Sequence, residues 1–472
     1  MGAAGLHGRR DRPDARSQRR GGPARLPYDP SAQLTESSEF RQIAGMTPAQ
    51  SLHSVSPRRF AHRARRLLAL AAALPVALSL SACAGEEAPA SDAAIVAITS
   101  PAGPHSAEPF LITDASGRVH MTWLARTSDS TFALRYASLD GDRWSTPTTI
   151  VERGDFFVNW ADFPSVMSSS GGRLVAHWLQ KSGGGKYTYD VRVSQSTDSG
   201  RSWSPGIVLH QDGVQAEHGF VAMWPGESDQ IEAAWLDGRG TVGADPAARA
   251  MHVVAGSLAA DGTRGAERTL DMRSCDCCQV AAAVSGRGPI VAYRDRTDAE
   301  VRDIVVTRRV DGEWTEPKAV HDDRWQIAAC PVNGPALAAR GDTVAIAWFT
   351  GAQDTARVRY AWSFDGGASF GSPARVDGGN PAGRVDVELL DDGTSVVSWL
   401  ERADSTTADV RVRRVRADGS MGAPVTVARS SGARASGFPR MTRQGDALVA
   451  AWTEPGDSSR IHVARLPLAR VP

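Results

Sequence analysis

Val119-His120-Met121-Thr122-Trp123 is a short apolar stretch that ends on an aromatic residue, and the chain repeats this pattern six more times. The copies fall at 174–178, 231–235, 290–293, 344–348, 396–399 and 448–452, so the aromatics recur every 51–58 residues. A fixed period of that length marks a solenoid or a propeller. Each copy is too short and too apolar for a surface strand, and it is predicted as the buried central strand of a small sheet. One copy cannot bury both of its faces. Stacked neighbours can, so residues 93–470 read as one array.

Phasing on the aromatics predicts four strands per repeat. An inner strand begins some 14 residues earlier, as in Pro109-Phe110-Leu111-Ile112, and the apolar stretch follows it. A third strand alternates, as in Ala133-Leu134-Arg135-Tyr136-Ala137, and an edge strand such as Thr148-Thr149-Ile150-Val151 completes the unit. The last repeat supplies only three strands. Ala94-Ile95-Val96-Ala97-Ile98, ahead of the first inner strand, is expected to add the fourth and so close the ring. The reading is all-β: a propeller of four-stranded blades, seven preferred, with a six-bladed ring and one degenerate repeat as the alternative.

The turn after the third strand carries the most specific motif. Ser196-Thr197-Asp198-Ser199-Gly200-Arg201-Ser202-Trp203 fits S-x-D-x-G-x-x-W, and Ser363, Asp365, Gly367 and Phe370 stand in the same pattern. Asp accepts backbone N–H groups across such a turn, Gly takes positive φ, and the aromatic packs on the blade. Shorter variants at the same phase are Asp140-Gly141, Asp261-Gly262, Asp311-Gly312 and Asp418-Gly419. The full motif resembles the Asp-box, or bacterial neuraminidase repeat, of sialidase-like β-propellers, where it marks the fold and takes no part in catalysis. Sialidases have six blades, and a seven-bladed chain departs from them there.

The formal net charge is zero, but residues 1–66 hold 13 Arg against 5 acids, leaving 40 basic and 48 acidic groups for the rest. A mildly acidic body argues against nucleic acid as a partner. Residues 1–57 read as a disordered extension or an early start. Residues 58–82 read as a leader, with Arg58, Arg59, Arg63, Arg65 and Arg66 ahead of an apolar run that is short for a membrane span. Leu80-Ser81-Ala82-Cys83 matches the bacterial lipobox, whose Cys is lipidated after cleavage, and 83–92 would be the tether. The expectation is a monomeric lipoprotein of the cell envelope, held to the membrane by lipid. Because Ala84 stands where an Asp would resemble an inner-membrane retention signal, the outer membrane is the expected site.

In a propeller, loops entering the inner strand and leaving the second strand meet around the axis on one face. Entering positions hold Trp160, Asp162, Glu217, His218, Asn333, Arg384, Asp386 and Arg440, and leaving positions hold Asp237, Arg239, Arg294, Asp295, Arg296 and Glu401. Such convergent polar groups are the default site. The resemblance implies three Arg clamping a carboxylate, a Tyr nucleophile with a Glu base, and an Asp acid. Arg294 or Arg296, Arg384 and Arg440 could form the Arg cluster. The family's R-I-P type motif is missing, and Glu108-Pro109-Phe110 stands near its place. No Tyr is an obvious nucleophile, because Tyr293 holds the structural aromatic position. A glycosidase using paired carboxylates, Asp237 with Asp295 or Glu401, is a further option. The two competing functions are a module binding a glycan, a small-molecule ligand or an envelope partner, and a glycoside hydrolase.

Cys275, Cys277 and Cys278 enter the fourth inner strand, and Cys330 enters the fifth. Four Cys remain after Cys83, an even number in a chain expected to be exported. An inter-blade bridge with a local one, a thiolate site for a soft metal such as copper, and a redox pair all fit. No cofactor is required by any motif. H-E-x-x-H, phosphate-loop and nucleophile-elbow patterns are missing.

Overall fold

The computed structural model describes residues 94–243, 245 and 248–472. The extension, the leader, Cys83 and the tether to residue 92 lie outside the described residues. No helix among the described residues is long and apolar enough to cross a membrane.

Seven antiparallel sheets follow one another along the chain, which excludes the six-bladed alternative. Their inner strands are Ser106–Thr113, Ser165–Ser168, His218–Pro225, Ala281–Ser285, Ala336–Arg340, Pro381–Leu389 and Arg440–Gln444, and each packs on the inner strands of both neighbouring blades. That cyclic contact defines the propeller axis. We number the blades 1 to 7 in this order.

Each apolar stretch is the second strand of its blade. It is paired on both sides and covered on both faces by the adjacent blades, so it reads as continuously apolar instead of alternating. Trp123, Trp178, Trp235, Tyr293, Trp348 and Trp399 are all 2% exposed or less. Burying one such ring contributes on the order of 4–6 kcal/mol of transfer free energy. In blade 7 the outermost strand is Val96–Ile98, antiparallel to Arg460–Pro467 with Val96 opposite Arg465 and Ile98 opposite Val463.

The two full Asp-boxes fold alike. Ser196 Oγ donates to Asp198 Oδ1 (2.8 Å) and accepts from Gly200 N–H (2.9 Å), while Ser202 donates to Asp198 from both its N–H (2.9 Å) and its hydroxyl (2.6 Å). Ser363, Asp365, Gly367 and Ser369 repeat this pattern at 2.6–2.9 Å. Gly200 has φ +83°, and a Cβ there would stand 2.0 Å from the Tyr136 ring of blade 1. Each turn thus docks on the preceding blade, with Trp203 edge-on to Tyr136 at 5.4 Å. The abbreviated motifs behave differently. Asp311 (φ 51°) and Gly312 (φ 85°) form a two-residue hairpin, so Glu313–Trp314 adds a fifth strand to blade 4, as Arg143–Trp144 does in blade 1.

Candidate functional site

The axis is plugged on the face opposite the Asp-boxes. The segment Asn159-Trp160-Ala161-Asp162-Phe163, which leads into blade 2, reaches across the ring. Phe220 N–H in blade 3 donates to Asp162 Oδ1 (2.6 Å), and Gln279 Nε2 in blade 4 donates to the Ala161 carbonyl (2.7 Å). Trp160 stacks on Phe438 of blade 7 at 5.9 Å, and Phe163 lies between Phe438 (5.4 Å) and Phe110 of blade 1 (6.2 Å). Arg384 of blade 6 sits 4.8 Å over Trp160, and Arg440 sits 4.6 Å over Phe110 and 5.0 Å over Phe163. The plug joins blades 1, 2, 3, 4, 6 and 7.

Most of the charges predicted to line an open site are consumed inside this assembly. Arg294 is 1% exposed; it donates to the carbonyls of Asn333 (3.0 and 2.8 Å), Arg302 (2.6 Å) and Phe349 (2.7 Å) and stacks on Trp325. Arg384 donates to Ser436 Oγ (2.7 Å) and to the carbonyls of Gly437 (2.8 Å) and Ala433 (3.1 Å), and its own N–H donates to Asn333 Oδ1 (2.8 Å). Burial, with Arg402 and Arg434 nearby, lowers the Arg384 guanidinium to about 9. Glu401 accepts from Trp399 Nε1 (2.5 Å) and the N–H groups of Gly378 (3.0 Å) and Asn380 (2.5 Å). These three groups tie loops together, and the three-Arg clamp is not assembled around an open pocket.

Asp237 is fully buried; it accepts from Trp235 Nε1 (2.9 Å) and from the Arg239 guanidinium (2.6 and 2.7 Å). Arg239 also meets Glu267 (2.8 Å), and His218 meets Asp212 (3.2 Å) while stacking on His210 at 3.7 Å. This network joins blades 2 and 3. Asp237 is therefore not paired with Asp295 or Glu401. Asp295, half-buried and beside Asp271 and Asp303, has its carboxyl raised to about 6, chiefly by burial. Arg296 is bound to Asp276 (2.8 Å) and Glu300 (2.8 Å).

The chain does bring together one constellation that the motif reading missed. Tyr189 donates to Glu217 Oε1 (2.8 Å) and lies 3.1 Å from Asp162 Oδ2. Burial raises Asp162 to about 7 and Glu217 to about 8. Tyr189 opens the third strand of blade 2, on the same face as the entering loops, and that phase was its only signal in the sequence. Its ring is fully buried and stacked on Phe157 at 3.9 Å. Burial first, then Glu217 and Asp162, push its hydroxyl well above the usual range, the reverse of what a nucleophile needs.

Cys275, Cys277, Cys278 and Cys330 are free thiols, so the expected inter-blade disulfide is not formed. Burial raises the Cys275 thiol, but hydrogen bonds with Cys277 and Cys278 and the Arg302 charge outweigh it and hold the group well below its ordinary range.

Backbone strain concentrates on this face. In blades 1, 3 and 6 the inner strand slips register against the second strand, and Glu108 (φ 52°), Phe220 (φ 54°) and Arg384 (φ 56°) stand at the slips. Each non-glycine residue held there costs about 1–3 kcal/mol. Phe220 and Arg384 are fixed by the bonds their backbone N–H groups donate to Asp162 and Asn333. Glu108 is not so fixed: it is 8% exposed, and burial alone raises its carboxyl to about 8. It lines a cleft of about 190 Å³ with His105, Arg126, Phe132, Val158 and Asp457. A wider hollow of about 500 Å³ lies on the Asp-box face beside Phe364, Asp365 and Asp418. We favour the smaller cleft, because both oxygens of Asp365 are already committed to its own turn.

No family model matches the chain, and no curated protein matches it. Among solved structures, it is similar to a protein of unknown function from Dyadobacter fermentans, at 14% identity and a TM-score of 0.45, over 79% of this chain and 97% of that one. It is also similar to the NanB sialidase of Streptococcus pneumoniae, at 12% identity and 0.41, over 77% and 68%. A third similar structure is a Penicillium chrysogenum α-L-arabinanase complexed with arabinobiose, at 15% identity and 0.43, over 66% and 94%.

Proposed function

We propose that this chain is an envelope lipoprotein whose propeller binds a hydroxyl-rich ligand, a neutral glycan, without turning it over. The observation that carries the reading is the plugged axis, which leaves Glu108 as an unpaired buried carboxyl in the cleft beside it. A carboxylic acid that stays protonated at neutral pH offers one donor and further acceptor capacity, matched to sugar hydroxyls.

The test is binding of a glycan panel, read by calorimetry. Glu108→Gln keeps the neutral donor and should retain affinity, whereas Glu108→Ala should lose about 10-fold, one buried hydrogen bond. Equal affinity in both variants overturns the site. Lipidation rests on the lipobox alone. Mass spectrometry of the mature N-terminus should find acylated Cys83, and an unmodified Cys83 overturns the anchor.

Tyr189–Glu217–Asp162 supports a second reading as a hydrolase of the sialidase type, with burial of Tyr189 against it. Release of an aryl glycoside that disappears in both Tyr189→Phe and Glu217→Gln would establish that reading and displace the first.

A further inference from the structure

Three cysteine sulfurs converge where the chain enters blade 4. The Sγ atoms of Cys275, Cys277 and Cys278 all lie within 4.8 Å of one another, and Cys275 and Cys277 stand 3.9 Å apart. Bonded sulfurs lie about 2.05 Å apart. Three sulfurs each about 2.3 Å from one shared ion stand about 3.8–4.0 Å apart. The observed pair matches the second geometry. Cys330, from the loop entering blade 5, is not one of these three mutual neighbours.

The surroundings suit thiolates. Cys275 is fully buried and Cys278 1% exposed, while Cys277 and Cys330 are half-buried and leave the cluster open on that side. Arg302 Nη1 donates to Cys275 Sγ at 3.4 Å, and Arg302 is itself held by Glu300 (2.8 Å). Asp276, the one carboxylate within the motif, is already bound to Arg296 (2.8 Å). The donors on offer are therefore sulfur, with a guanidinium behind them to orient and stabilise the charge. Structural zinc sites take four ligands in a tetrahedron. Here three sulfurs are mutual neighbours and Cys330 is not among them, a three-sulfur set of the soft kind that suits a monovalent d¹⁰ ion.

We propose that Cys275, Cys277 and Cys278 bind one cuprous ion, with Cys330 as the reserve sulfur on the open side. This site is independent of the ligand reading at Glu108.

The test is anaerobic titration of the reduced full chain with Cu(I) against a chromophoric copper chelator. The chain should withdraw one equivalent and develop an ultraviolet sulfur-to-copper charge-transfer band. Bound copper should also protect Cys275, Cys277 and Cys278 from alkylation, a readout that needs no variant. Cys278→Ser should abolish binding. Arg302→Met should weaken it about 10–100-fold, the usual cost of losing an outer partner of a metal ligand. Failure to compete with the chelator, undiminished binding in Cys278→Ser, or a preference for one zinc ion over copper overturns the proposal. So does a Cys277–Cys330 disulfide that persists in the isolated protein under reductant.

Discussion

On the Asp-box face, Asp365 finds its partners between Ser363 and Ser369. On the opposite face, Asp162 reaches Phe220 in the next blade, Arg294 reaches Asn333 and Phe349, and Arg384 reaches Ser436. The Asp-boxes satisfy their carboxylates within one turn, whereas Asp162, Arg294 and Arg384 find their partners across blades. Local satisfaction leaves a motif in the sequence; distant satisfaction leaves only scattered charges, which look like an open site until their partners are known.

Breaking the long-range side should cost most. Arg294→Ala leaves three buried carbonyl groups short of a donor and should destabilise the chain by about 3–5 kcal/mol. Chemical denaturation measures this, and a loss below about 1 kcal/mol would return Arg294 to the list of ligand-binding candidates. Trp160→Ala should cost about 2–3 kcal/mol, since the ring is only partly buried. Hydrogen exchange should then quicken in the inner strands His218–Pro225 and Arg440–Gln444, and unchanged exchange there would mean that the segment does not seal the axis.

Titration sharpens the contrast. Burial raises Glu108, Glu217 and Glu388 to about 8 and Asp162 to about 7. The folded chain keeps these protons where the unfolded chain has lost them. The stability they contribute is therefore full below about pH 4 and falls as pH rises to about 8. Asp198 and Asp365 are held below their ordinary range by hydrogen bonds within their turns, so their contribution is present above about pH 4 and is lost only in acid. The melting temperature should fall by a few degrees from pH 5 to 8. Asp162→Asn with Glu217→Gln should flatten that slope; a slope unchanged in the double variant would assign it to other groups. The smallest effect is expected from Asp365→Ala, about 1–2 kcal/mol by analogy with a lost cap, with the slope between pH 5 and 8 intact.

The same distinction explains what could be read from the chain alone. Blade number, strand order and the Asp-boxes were legible because the aromatic period and the Ser-Asp-Gly spacing are local. The plug was not: Trp160 and Asp162 were legible as loop residues on the axial face, but the Trp160 partners Arg384 and Phe438 lie more than 200 positions away. Tyr189 was passed over because a tyrosine opening a third strand looks like any half-buried strand residue. The charge crowd around Arg294 and Asp237 was legible as a crowd. Its exhaustion by carbonyls and by Arg239 was not. The Cys cluster was legible as a meeting of two loops, and only the sulfur separations distinguish a bridge from an unbonded set.

The pairing of Val96–Ile98 with Val463–Arg465 has a consequence in time. At about 5–20 residues per second, the ribosome needs about 20–70 s between making the first strand and making its partner. Throughout that interval the first strand has no native neighbour, and the seventh sheet has no outer edge. A chain that stalls before residue 461 can stack its early blades but cannot complete the last one. Any factor that grasps extended segments has this window in which to act, and the window closes when the final strand emerges.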